Sequence, residues 1–133
     1  MIIARLTAAL LTLVLAAAPV QALTVLLYAR ADAAQAERAV QLLRAVDEVW
    51  HDRDLLPGEP WRLAVAERIC TADRVLVLWS ERAASSPEVA AEWRLALSCG
   101  RVLVPVRLDG AAMPAELAAR QAVDWTQPAT LSR

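Results

Sequence analysis

Two uninterrupted apolar runs, Val75 to Trp79 and Val102 to Val106, flank a segment of helix length, and no other feature limits the fold as strongly. A strand that is apolar at every position has both faces covered, the habit of a central strand in a parallel sheet. Parallel neighbours need a crossover, and the intervening stretch supplies one. Val89, Trp93, Ala96 and Gly100 recur there with a period near 3.6. Ser85 to Glu88 has capping-box spacing, Pro87 suits a first helical turn, and Gly100 is a natural stop.

The same alternation runs through the rest of the chain. Thr24 to Ala29 reads as a first strand, and Asp32 as the cap of a helix with Gln35 three residues on and a buried stripe of Ala36, Ala39, Val40 and Leu43. Val49 to Asp52 is a short second strand, and Arg53 to Pro60 a loop containing the Pro-Gly turn signal. Trp61 to Cys70 is a second helix with Trp61, Val65 and Ile69 on one side. Pro114 opens a short helix, and Ala122 to Trp125 forms a last strand. Strands alternating with helices predict an α/β domain, a parallel sheet with helices on both faces.

With 133 residues the chain builds one core and not two. A net charge of −1 gives no reason to expect a nucleic-acid surface. Cys70 and Cys99 fall in predicted helices without metal-site spacing, so buried free thiols are the expectation and a disulfide the alternative. Residues 1–22 stand apart. Arg5, the apolar run that follows it and the small-residue site Val20-Gln21-Ala22 predict a hydrophobic N-terminal helix serving as secretory signal or membrane anchor. Export or membrane association is therefore expected, with a cytoplasmic location as the alternative. The domain proper is expected over 23–126, and 127–133 as a tail.

In open parallel sheets ligands bind beyond the carboxyl ends of the strands. The residues just past those ends are Ala29-Arg30, Asp52-Arg53 and Ser80-Glu81-Arg82. Glu92 lies on the shoulder of the central helix's apolar stripe, one turn after Glu88, where like charges disfavour each other by a few tenths of a kcal/mol. It is the acidic residue that a purely structural helix has least reason to keep. Tyr28, Trp50 and Trp61 are the aromatics expected near it, and His51 is expected to be structural. Asp52 suits a turn as well as a ligand. No G-x-G-x-x-G occurs, so no bound hydride cofactor is expected.

Taken in order, VLLYARAD, VWHDRDLLPGEPW, RVLVLWS, SSPEVAAEW, GRVLVPVRLDG and QAVDW resemble a bacterial Toll/interleukin-1 receptor (TIR) domain over about Leu23 to Trp125. The most specific parts are the D-R-x-L-x-P-G loop with its following Trp and the S-x-x-V-x-x-E-W segment. The resemblance implies a flavodoxin-like three-layer fold with five parallel strands. It also implies one of two functions: NAD+ nucleosidase activity that depends on self-association, or a non-catalytic module that docks with other TIR domains. The family's catalytic glutamate, aligned on Ser86, Val89 and Trp93, falls on Glu92. Substrate contacts are then expected from Tyr28, Ala29, Arg30, Asp52, Arg53, Trp61 and Ser80. NAD+ is expected as substrate with no resident cofactor or metal, and the Arg53–Pro60 loop as the contact to a second copy or another TIR domain. Two positions depart from the family pattern: Glu88 replaces an aromatic four residues before the glutamate, and Leu27 a small hydroxyl residue.

Overall fold

The computed structural model describes residues 22–52, 58 and 60–126. The expected N-terminal helix, Arg53 with most of its loop, and the tail lie outside the described residues. Five strands, β1 (Leu23–Leu27), β2 (Glu48–Trp50), β3 (Arg74–Trp79), β4 (Val102–Arg107) and β5 (Val123–Asp124), form one parallel sheet in the order β2-β1-β3-β4-β5. This is the flavodoxin-like order, and it reverses direction between β1 and β3. The crossovers carry α1 (Ala33–Leu43), α2 (Trp61–Thr71), the short α3 (Glu81–Ala84), α4 (Pro87–Ser98) and the short α5 (Ala115–Ala118).

Alternate strand residues serve opposite faces, because successive side chains on a strand point to opposite sides. Val25 and Leu27 of β1, Val75, Val77 and Trp79 of β3 and Leu103 of β4 pack with Val65 and Ile69 of α2 and with Val89, Trp93 and Ala96 of α4. Leu26, Leu78 and Val106 pack on the other face with Ala36, Ala39 and Val40 of α1. Covering both faces is what the unbroken apolar runs require. Burying one such aliphatic side chain contributes roughly 1.5–3 kcal/mol.

Several local expectations are corrected. The first strand ends at Leu27, whose partner Val77 closes the β1–β3 pairing, so Tyr28 and Ala29 are free to turn toward the cleft. The second strand is Glu48–Trp50, which leaves His51 and Asp52 beyond the sheet. Asp32 caps nothing with its side chain; a 3₁₀ turn over Arg30–Asp32 leads into α1, and the Asp32 carboxylate is used elsewhere. The segment after β3 is helical rather than open loop, because Ser80 Oγ caps α3 by accepting from Ala83 N–H. The cap of α4 is Ser86, not Ser85: its Oγ accepts from Val89 N–H, and Pro87 then falls at the first helical position. Ser85 instead closes α3, with its hydroxyl donating to the Glu81 carbonyl.

The far end of α4 stops as expected. Gly100 has φ +69°, Gly100 N–H donates to Leu97 O, and Arg101 N–H donates to Ala96 O, which is the Schellman pattern. Cys99, just past that helix, is half-buried and joined in a disulfide to Cys70 of α2, with Cα atoms 5.4 Å apart. The expectation of free thiols fails because the α2 and α4 termini, remote in sequence, arrive side by side at the amino end of the sheet. The chain enters β1 without slack: Glu48 N–H donates to Ala22 O, and Leu23 N–H donates to Asp73 Oδ2 at 2.7 Å.

Candidate functional site

The carboxyl end of the sheet opens into a cleft of about 1080 Å³, beside the point where strand order reverses. Its walls come from the turn after β1, the end of β2, the first half of α2, and α3 with the first half of α4. Tyr28, Ala29, Arg30, Asp52, Trp61 and Glu92, separated in the sequence by up to 64 positions, all line it. The α/β topology explains the convergence, since every strand in a parallel sheet delivers its following loop to the same edge.

Glu92 reaches the cleft because of where α4 begins. Ser86 caps the helix, Pro87 starts it, and Val89, Trp93 and Ala96 fix its buried face against the sheet. Glu92 then falls on the shoulder of that face, half-buried at the cleft wall. Burial pushes its carboxyl up to about 7, and the Asp52 and Glu88 carboxylates push in the same direction. Glu88 lies in the first turn of α4, where the helix N terminus favours negative charge, and it accepts a hydrogen bond from Ser86 Oγ at 3.3 Å. Glu92 is beyond the reach of that terminus.

Tyr28 and Asp52 form the second feature of the site. The Tyr28 hydroxyl donates to Asp52 Oδ1 at 2.6 Å, bridging the ends of β1 and β2. Aromatic surface comes from Trp50 and Trp61. Trp50 is buried at the cleft wall with the Arg68 guanidinium 5.9 Å from its ring centroid, while Trp61 at the start of α2 is 41% exposed. Planar groups of this kind offer stacking surfaces to a flat ligand.

Ser80 is placed differently from the other candidates. It is fully buried and does not line the cleft; its hydroxyl donates to Asp32 Oδ2 at 2.5 Å while capping α3. Arg82, two residues on, lines the cleft in its stead, anchored to Asp32 Oδ1 at 3.1 Å. Sequence reasoning put Arg82 just past a strand end without counting it among the substrate contacts, and it missed Arg62. The available signal was position, because Arg82 follows the end of β3 and Arg62 the first residue of α2. Between them, Arg30, Arg62 and Arg82 bring positive charge suited to phosphate into a cleft that also holds Glu88 and Glu92. Arg53 lies outside the described residues.

Comparison with known proteins bears on the fold and the family. The structure is similar to the crystal structure of the TIR domain of the Toll-related receptor TRR-2 from Hydra magnipapillata. The TM-score is 0.68 at 20% identity, over 77% of this chain and 82% of that one. It is also similar to a 2-deoxyribosyltransferase from Bacillus psychrosaccharolyticus, with a TM-score of 0.60 at 16% identity, over 77% and 85%. At these identities the likeness is one of fold. No curated protein matches the chain in sequence. The model of the TIR-domain family matches residues 25–133, which takes in all of the sheet but the first two residues of β1, and every wall of the cleft. The chain belongs to the TIR-domain family.

Proposed function

We propose that this TIR domain is an NAD+ nucleosidase, with Glu92 as its essential carboxylate. The observation that carries the reading is the placement of Glu92 in the wall of a cleft that also presents tryptophan surface and three arginines. A dinucleotide asks for those three elements: stacking surface for a flat ring, guanidinium groups for the pyrophosphate, and a carboxylate at the ribose.

The chemistry needs only one such group. Hydrolysis of an ordinary glycoside uses two carboxyl groups, because the leaving oxygen must be protonated. In NAD+ the leaving group is a pyridinium that departs as neutral nicotinamide, taking the electron pair of the C–N bond and no proton. The positive charge passes to the ribosyl carbon and ring oxygen, where an ionised Glu92 stabilises it. Water adds to that carbon and loses one proton to solvent, giving ADP-ribose. The substrate contacts fall to Tyr28, Ala29, Arg30, Asp52, Arg53 and Trp61, joined by Arg62 and Arg82, while Ser80 supports the site from beneath through Asp32.

Activity on this reading depends on self-association through the Arg53–Pro60 loop, which in the sequence joins the cleft residues Asp52 and Trp61. The second reading is a module that binds other TIR domains without turnover. Glu88 is the observation that favours it, because a second carboxylate one turn from Glu92 replaces aromatic surface with like charge. The leader and the Cys70–Cys99 bond together support export to an oxidising compartment, where disulfides persist. Export also separates the enzyme from the NAD+ of the cell that makes it.

The test is nicotinamide release from NAD+ at high protein concentration, wild type beside Glu92→Gln. Turnover that falls by on the order of 10³-fold in the variant, with assembly intact, is the expected result. Assembly without turnover in the wild type would leave the interaction module.

A further inference from the structure

Asp52 reads from sequence either as a turn residue or as a substrate ligand, and the structure gives it another task. It stands two residues past the end of β2, and its carboxylate is engaged across the sheet edge by the Tyr28 hydroxyl at 2.6 Å. Tyr28 is itself the first residue past β1. The bond therefore ties together the two strand ends that form one wall of the cleft, and it fixes the direction in which Asp52 presents its charge.

We propose that Asp52, oriented by Tyr28, is a positioning residue that acts through Glu92, setting the field in which the essential carboxylate gains and loses its proton. The proposal rests on the nucleosidase reading for its consequence to turnover, but not for the coupling itself. Among the described residues, the charged and titratable groups sharing the cleft with Glu92 are Asp52 from β2, Tyr28 and Arg30 from the end of β1, Arg62 from α2, Arg82 from α3 and Glu88 from its own helix. Arg82 is committed to buried Asp32, which offsets much of its charge. Glu88 is held at the helix terminus by Ser86. Asp52 is thus the carboxylate brought to Glu92 from a different layer of the fold, and the Tyr28 hydroxyl engages it there.

This coupling suits a cationic leaving group. A field of two carboxylates favours the pyridinium ring on arrival and the ribosyl cation after the ring departs, so the negative wall serves the same charge throughout. Binding the cation also draws the Glu92 proton off to water, leaving Glu92 ionised as the bond breaks.

The experiment is a ¹³C NMR titration of the Glu92 carboxyl in the full chain, for wild type, Asp52→Asn and Tyr28→Phe, with the pH dependence of kcat/KM beside it. Asp52→Asn is expected to lower the Glu92 midpoint by roughly one pH unit, as loss of a neighbouring like charge does. Tyr28→Phe, which keeps the ring but frees Asp52, is expected to move it in the same direction by less. The acid limb of kcat/KM should move with the NMR midpoint. An unmoved Glu92 midpoint in a folded Asp52→Asn variant overturns the proposal. If no turnover is found, the titration still decides the coupling, so failure of the nucleosidase reading and failure of this proposal are told apart.

Discussion

The two ends of the sheet use the same residue types in opposite ways. At the amino end the carboxylates of Asp47 and Asp73 have partners that complete the fold. Asp47 accepts from buried Thr24 at 2.8 Å and pairs with Arg74, whose Nε in turn donates to Thr24. Asp73 takes the Leu23 N–H, Arg101 reaches the carbonyls of Cys99 and Ala72, and the Cys70–Cys99 bond clamps α2 to α4. At the carboxyl end Asp52, Glu88 and Glu92 face a shared cleft, and burial, followed by the neighbouring Asp52 and Glu88 charges, raises the proton affinity of Glu92. Those two carboxylates at the amino end are paired; the ones lining the cleft are crowded. Sites of the second kind reduce stability, and the well-tied amino end offsets that cost.

The contrast is sharpened by breaking it at each end in turn. The largest effect belongs to the Glu92→Gln loss of turnover described above, which should leave the unfolding midpoint no lower than wild type. Next comes the clamp. Replacing both cysteines (Cys70→Ala with Cys99→Ala) opens a loop closed over 29 positions and should cost roughly 3–4 kcal/mol in urea unfolding, with the reduced wild type matching the variant. Equal stability of oxidised and reduced protein would refute the clamp.

Asp47→Ala should cost about 1–3 kcal/mol, because Thr24 is fully buried and loses its acceptor, whereas Arg74 can turn to water. A negligible change would mean that the amino end is held by the sheet alone. The smallest effect is also the most diagnostic. The folded-state value for Glu92, about 7, lies above its ordinary 4.5. Its contribution to stability is therefore fully present below pH 4.5 and is lost as pH rises through 7. Glu92→Gln should match wild type near the acid end of that window and exceed it above neutrality by about 1–2 kcal/mol, the solvent-facing part of the side chain reducing the effect. A difference that does not vary with pH would place the strain elsewhere.

Much of this molecule is legible in its sequence, and what is not shares a physical reason. Unbroken apolar runs such as Val75 to Trp79 announce strands covered on both faces, and the helix periods of Val89, Trp93 and Ala96 announce what covers them. Parallel topology then sends Tyr28, Asp52 and the start of α4 to one edge. Partnerships across long separations leave no such trace. Ser80 and Asp32 meet over 48 positions, and nothing local to either separates a buried pair from a ligand and a helix cap. The cysteines meet because two helix termini coincide in space, which spacing along the chain does not encode. Ser85 and Ser86 both fit a cap, and the choice falls to Ser86 because it alone places Pro87 at the first helical position.

The contact between Leu23 N–H and Asp73 determines what a cut after Ala22 would do to the sheet. Cleavage after Ala22 would convert that amide into an α-ammonium, already 2.7 Å from a carboxylate oxygen. The Ala22 carbonyl and its bond from Glu48 would be lost. In exchange, a neutral hydrogen bond would become a charge-assisted one, roughly twice as strong. A terminus made there would lie against that carboxylate, so that such a cut would fasten the first strand of the sheet rather than fray it.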